Sequence, residues 1–366
     1  MANNLDENLR PTLNQQDVEF VLEDQFGISR DRVDSVKLLA GYDDQNFYVK
    51  LKPDGREVLL KITNWRDSEN VQLIGEMTEL MCQLGKSVPC SVPLQTKTGS
   101  PLGRYVYQDS ENHRRECIVR LFNFLPGKIM TPGTITRSQA FQWGDLLGRM
   151  HLALDSMEFP TISERTFIWA WEGVPQVKRY LDVVSDQDRK DLAQHFFDKY
   201  EYEMLPRMRQ LKRDLIHGDL NERNVLTNAA GEVYAVLDFG DCHGGPRAWD
   251  LALVLAYLSL MLPDIQRDLV NYLGDAISGY AKHMPNVVRD TCDVETLKTL
   301  ICTRLCQSLV LGLQSFKVKC DPYVLTTQKK GWFVLRQLHS ETRQNITDVW
   351  NKLLKPYGMM LKETAH

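Results

Sequence analysis

Up to about residue 125 the apolar side chains alternate with polar ones over short stretches, whereas from residue 139 onward they recur every three or four positions. Alternation marks strands with one buried face, and the longer period marks amphipathic helices. A sheet-rich first part and an all-helical second half are therefore predicted. The first part opens with a helix over residues 16–29 whose apolar set is Val18, Phe20, Val21, Leu22 and Phe26. Val33, Val36, Leu38 and Leu39 then lead into the polar run Gly41-Tyr42-Asp43-Asp44-Gln45-Asn46, and Phe47-Tyr48-Val49 resumes the strand pattern. Pro53-Asp54-Gly55 turns the chain back through Val58-Leu59-Leu60-Lys61-Ile62, a strand–turn–strand signature. A helix over 71–84 and strands over 104–109 and 117–125 follow. Beyond them helices are predicted at 139–154, 185–211, 249–262, 265–283, 294–316 and 328–356, with a hairpin turning at Asn228-Ala229-Ala230-Gly231.

The chemistry sits between these helices. Asp219 in His217-Gly218-Asp219 is followed five residues later by Asn224, and the strand-like Tyr234-Ala235-Val236-Leu237 leads to Asp238-Phe239-Gly240. Asp219 suits a base that accepts and orients a hydroxyl proton. Asn224 and Asp238 supply a neutral and a charged hard oxygen, the ligand types magnesium prefers. The order and spacing resemble the catalytic half of a kinase. Two departures narrow the resemblance. Gly218 stands where protein kinases carry an arginine, and Gly244-Gly245-Pro246-Arg247-Ala248-Trp249-Asp250-Leu251-Ala252 enters a helix almost at once, leaving no room for an activation loop. Both resemble the aminoglycoside phosphotransferase-like (choline/homoserine kinase-like) small-molecule kinases. That resemblance implies an α+β, two-lobed protein-kinase-like fold. A small β-rich nucleotide-binding lobe with one helix would span 1–122 and a hinge 123–127. A larger, mainly helical catalytic and substrate-binding lobe would span 128–366. Asp250 would cap its helix or brace the catalytic loop, and His151 would be structural.

Lys61 lies in an apolar strand, where a lysine is costly to bury without a partner. A kinase needs such a lysine on the nucleotide phosphates, held by a glutamate of the next helix. Glu76 is the expected partner, with Glu79 one turn further on. Asn46 and the backbone of the polar loop would reach the phosphates, although Asp43–Gln45 read equally as an ordinary hairpin turn. Backbone groups from Asn123 to Leu125 would meet the base at the hinge.

A closer resemblance, to the hydroxylysine kinases of that family, rests on Tyr42–Phe47, Phe167-Ile168-Trp169, Cys302–Val310 and Gly331-Trp332. It implies transfer of the γ-phosphate of GTP to the side-chain hydroxyl of 5-hydroxy-L-lysine, with Mg2+ as cofactor. Arg304, Gln307 and Ser308 form a polar stripe on an apolar helix. Arg304 and Gln307 either clamp the substrate carboxylate or mark the helix's solvent face. Asp241 would attract a substrate ammonium or order its loop, and Trp169 would wall the pocket or join the core. A phosphotransferase for choline, homoserine or an aminoglycoside with ATP, or a non-catalytic nucleotide binder, are the alternatives.

Composition excludes more than it selects. A formal charge of −4 disfavours nucleic acid as a principal partner. Eight cysteines without metal spacing suit a reducing compartment. Met1–Glu7 lacks the features of a leader peptide, and no apolar run reaches membrane-spanning length, so a cytoplasmic location without obligate protein partners is expected.

Overall fold

The computed structural model describes residues 9–109, 111–320 and 322–361; the leader-free reading of Met1–Glu7 lies outside them. Two compact units emerge. One runs through Lys86 and resumes over Cys90–Pro126, and the other comprises Ser87–Pro89 and the chain from Gly127 onward.

The smaller unit is built on strands β1 (Val33–Leu39), β2 (Gln45–Leu51), β3 (Glu57–Ile62), β4 (Pro93–Leu94), β5 (Gly103–Gln108) and β6 (Arg114–Asn123). The sheet order is β1-β2-β3-β6-β4, with β5 also on β6, and every pairing is antiparallel. Strand β6 is the hub, and its stretch from Cys117 to Phe122 is buried throughout, as expected for a central strand. Helix α1 (Gln15–Phe26) starts at an Asn14–Asp17 capping box and ends at Gly27 in the left-handed region. Its Val18, Val21 and Leu22 join Phe47, Val49, Leu60, Val119 and Leu121 in one core. Phe20, assigned above to the same face, is instead 45% exposed and lies against the Tyr105 ring. Helix α2 (Val71–Leu84) follows an Asn70 cap.

The larger unit is mainly helical, with α3 (Arg137–Leu154), α4 (Gln187–Lys199), α5 (Arg247–Met261), α6 (Ile265–Ala281), α7 (Val294–Lys319), α8 (Gly331–Ser340) and α9 (Arg343–Leu354). Helices α3 and α6 cross at backbone contact. A Cβ on Gly144 would sit 1.9 Å from the Ala276 carbonyl oxygen, and one on Gly279 would sit 2.0 Å from that of Phe141. Helix α5 is buried on every face, the mark of a core helix. Between helices lie the short strands β7 (Lys128–Ile129), β8 (Asp214–Ile216), β9 (Val225–Thr227), β10 (Val233–Val236) and β11 (His243–Gly245). Strand β9 pairs with β7 and β10, and β8 with β11.

Three helix expectations change. The helix expected over 185–211 gives way after Lys199 to a wider turn over Tyr200–Met204, and Pro206 starts a separate short helix. The helix expected over 328–356 is two, because Thr342 caps a new start by accepting from the Asn345 amide. A helix at Pro285–Thr291 was not foreseen. Among the described residues no helix is long and apolar enough to cross a membrane.

Candidate active site

The loop between β8 and β9 carries Asp219. Gly218 adopts φ +78°, and a Cβ there would lie 2.3 Å from the Asp241 carbonyl oxygen and 2.7 Å from His243 Nδ1. The missing arginine therefore has a steric cause: only glycine fits this turn. Asp250, in the first turn of α5, accepts the amides of His217 at 2.7 Å and Gly218 at 2.9 Å. His151 on α3 bonds the same carboxylate at 3.1 Å and the Tyr280 hydroxyl at 2.9 Å. Asp250 braces the loop that carries Asp219, and His151 supports that brace from α3.

His217 ties this loop to the strand leading to Asp238. Its Nδ1 accepts from the Asp219 amide at 3.2 Å, which leaves Nε2 to donate to the Leu237 carbonyl at 3.0 Å. Burial holds its pKa below the usual imidazole value, so the neutral ring that this pairing requires is the one favoured.

The Asp219 carboxylate accepts from Asn221 Nδ2 at 2.9 Å and Asn224 Nδ2 at 3.1 Å. Burial and the nearby Asp241 carboxylate push its pKa well above the carboxylate range, opposed chiefly by Arg304. Arg304 Nη2 is 3.5 Å from Asp219 Oδ1. The solvent-face reading of Arg304 fails, because the residue is 1% exposed. Its guanidinium is engaged chiefly through one nitrogen, and its Nε is buried without a hydrogen-bond partner. Nη1 donates to the Trp169 carbonyl at 2.8 Å and to Gln307 Oε1 at 2.9 Å, and Nη2 faces Asp219. Gln307 is engaged within the protein as well. It is buried, with Nε2 given to the carbonyls of Ile168 and Ala170, so it holds the 168–170 segment and Arg304 in register. Trp169 and Tyr257 flank the guanidinium, each ring centroid 5.6 Å from its carbon.

Asn224 spends its amide nitrogen on the Asp219 carbonyl at 2.7 Å and on the Asp219 carboxylate, which turns its oxygen the other way. Asp238 is exposed and held at φ +51°, a conformation that costs energy outside glycine and recurs at functional sites. Among the described residues no three His, Cys, Asp or Glu side chains gather around one point as a self-sufficient metal site. One amide oxygen and one carboxylate fit a magnesium ion that takes its other ligands from phosphate and water. Asp241 brings its charge to Asp219, and its carbonyl anchors His243 at 2.8 Å.

In the smaller unit Lys61 Nζ lies 3.3 Å from Asp44 Oδ2. Asp44 also accepts from the Asn64 amide at 2.9 Å. Asp44 was missed above; its signal is register, since Asn46 pairs with Lys61 across the hairpin and Asp44 is two residues earlier. Of the two glutamates on α2, Glu79 is exposed and bonded to Gln83, whereas Glu76 is half-buried and accepts from Gln72 at 3.5 Å. Asn46 packs against Gly41, where a Cβ would come within 2.9 Å of its amide nitrogen. At the expected hinge, Asn123 turns its side chain to Arg56 at 2.9 Å, the Phe124 amide donates to Glu57, and Leu125 is half-buried.

Residues 35–284 match the model of the family described as the phosphotransferase enzyme family. The chain belongs to this phosphotransferase family. Hydroxylysine kinase of Bos taurus is 26% identical to it over 368 residues, covering 95% of each chain. That of Xenopus laevis is 27% identical over 370 residues, 96% of each. Homoserine kinase of Methylobacillus glycogenes is 27% identical over 218 residues, 60% of this chain and 61% of its own. Among solved structures, amicoumacin kinase hAmiN in complex with AMP-PNP, Ca2+ and Ami has a TM-score of 0.65 at 18% identity, over 92% of this chain and 94% of its own. A microcompartment-associated aminopropanol kinase has a TM-score of 0.60 at 15% identity, over 93% of this chain and 100% of its own. These neighbours share the fold. The chain is thus a small-molecule phosphotransferase of α+β architecture, with a β-sheet N-terminal region and a helical C-terminal region.

Proposed function

We infer that this phosphotransferase moves the γ-phosphate of GTP to the side-chain hydroxyl of 5-hydroxy-L-lysine, giving 5-phosphohydroxylysine and GDP. The observation that carries the reading is end-to-end similarity to hydroxylysine kinases in a chain whose Asp219, Asn224 and Arg304 form one hydrogen-bonded and ion-paired group. GTP as donor follows from the family resemblance. In this reading Asp219 accepts the hydroxyl proton and aims the oxygen at the phosphorus. Arg304 offsets the charge that burial and Asp241 make costly on that carboxylate. Lys61 meets the nucleotide phosphates, with Glu76 and Asn46 as its supports, and the Asn123–Leu125 segment meets the base. Asn224 and Asp238 would hold magnesium, which when bound neutralises phosphate charge. All eight cysteines are free thiols, in keeping with a reducing, cytoplasmic setting.

Assaying GTP and ATP against hydroxylysine, choline, homoserine and an aminoglycoside tests this. Hydroxylysine with GTP should give the highest kcat/KM, by about tenfold or more, the scale of one lost polar contact. Preference for another acceptor would replace the substrate; preference for ATP would replace the donor alone.

A further inference from the structure

Glu222 lies three residues beyond Asp219 in the turn that Asn221 and Asn224 close, and it takes no part in the chemistry described so far. Its side chain is 15% exposed. Its Oε2 is shut off from solvent and accepts no hydrogen bond. Its ion pair with Arg223 is long, 3.9 Å from Nε to Oε1. Burial accordingly raises its pKa. A shielded carboxylate oxygen without a donor is costly to keep. The Tyr257 hydroxyl on α5 belongs to the ring that flanks Arg304, its centroid 5.6 Å from the guanidinium carbon. That hydroxyl also donates toward Ser308 Oγ at 3.4 Å.

We propose that Glu222 is the acceptor for a substrate ammonium and so sets the preference of this enzyme for amino alcohols. In 5-hydroxylysine the reacting hydroxyl and the ε-ammonium sit on adjacent carbons. Two groups on one tight turn, Asp219 for the oxygen and Glu222 for the nitrogen, suit such a pair. The arrangement also separates tasks: Arg304 counters Asp219, while Glu222, whose ion pair with Arg223 is long, has an oxygen left for a cationic ligand. This deepens the hydroxylysine reading and rests on it for the choice of the ε-ammonium.

The test is calorimetric titration of the full-length protein with L-lysine, which has both ammoniums but no hydroxyl, and with L-norleucine, which lacks the ε-ammonium. Glu222→Gln should weaken L-lysine about tenfold to a hundredfold, the loss of one charge-assisted hydrogen bond. L-norleucine should be unchanged, and Glu222→Asp should recover part of the lysine affinity. Equal lysine affinity in wild type and Glu222→Gln, an equal loss for norleucine, or no lysine binding to wild type would each overturn the proposal. Hydroxylysine turnover by wild type is measured alongside. Turnover with Glu222-independent lysine binding removes only the role of Glu222. Glu222-dependent lysine binding without turnover removes the hydroxylysine reading and leaves the ammonium subsite standing.

Discussion

Asp219 and Arg304 form the pair on which the chemistry of single residues turns. Asp219→Asn keeps the shape and the contacts to Asn221 and Asn224 but removes the carboxylate proposed to accept the proton. Turnover should fall by about two to four orders of magnitude while nucleotide affinity persists, as separate rate and binding measurements would show. Near-normal turnover would exclude Asp219 as the base. Arg304→Lys makes a sharper distinction. A guanidinium that steadies the base acts on kcat, whereas one that clamps a substrate carboxylate acts on KM. The contacts to Trp169, Gln307 and Asp219 predict a loss of kcat of about tenfold, since a lysine cannot reproduce the planar fork. A raised KM for the acceptor with kcat intact would restore the clamp.

Helix α5 matters at the next scale because one carboxylate on it sets the catalytic loop. Asp250→Ala would leave the amides of His217 and Gly218 without acceptors and His151 with Tyr280 alone. Breaking such a buried set costs about 3–5 kcal/mol. Urea unfolding should register that loss, and Asp250→Asn should recover part of it by keeping one acceptor oxygen. An unaltered midpoint for Asp250→Ala would mean that the loop is held from elsewhere. This loop was legible in the sequence because its working residues lie within one contiguous stretch, His217 to Asn224. The placement of Arg304 was not. A polar stripe at three- and four-residue spacing looks the same whether it faces water or a buried carboxylate. Asp44 escaped for a related reason, since its meeting with Lys61 depends on hairpin register. The break at Thr342 was passed over because no glycine or proline marks it, although residues 339–345 carry no apolar position and the cap is a threonine.

Across the whole molecule, buried histidines give stability a pH dependence. Burial lowers the pKa of His217, and lowers that of His243 to about 4. Both values are depressed relative to the unfolded chain, so the unfolded state binds more protons once pH drops below the ordinary imidazole value. The contribution of His243 is therefore complete above about pH 6.5 and is lost as pH falls toward 4, at up to about 1.4 kcal/mol per pH unit. Denaturant unfolding at neutral pH and near pH 5 should show this slope, and His243→Asn should flatten it. An equal slope in the variant would assign the loss to carboxylates instead. At the same scale, the change from alternating to helical periodicity near residue 125 was enough to foresee a sheet-rich region followed by a helical one. The short strands β7 to β11 were mostly beyond such reading, because two to four residues carry too little pattern.

Gly218 has a consequence for descent. A side chain at that position would need both a left-handed backbone and the space now filled by the Asp241 carbonyl and the His243 ring. No point change at residue 218 can install the arginine by which protein kinases sense a phosphorylated loop; the Asp241–His243 turn behind it has to be rebuilt first. The two kinds of enzyme are thus separated by a coupled change in two segments, and a lineage that holds the present turn is closed to that arginine-based switch.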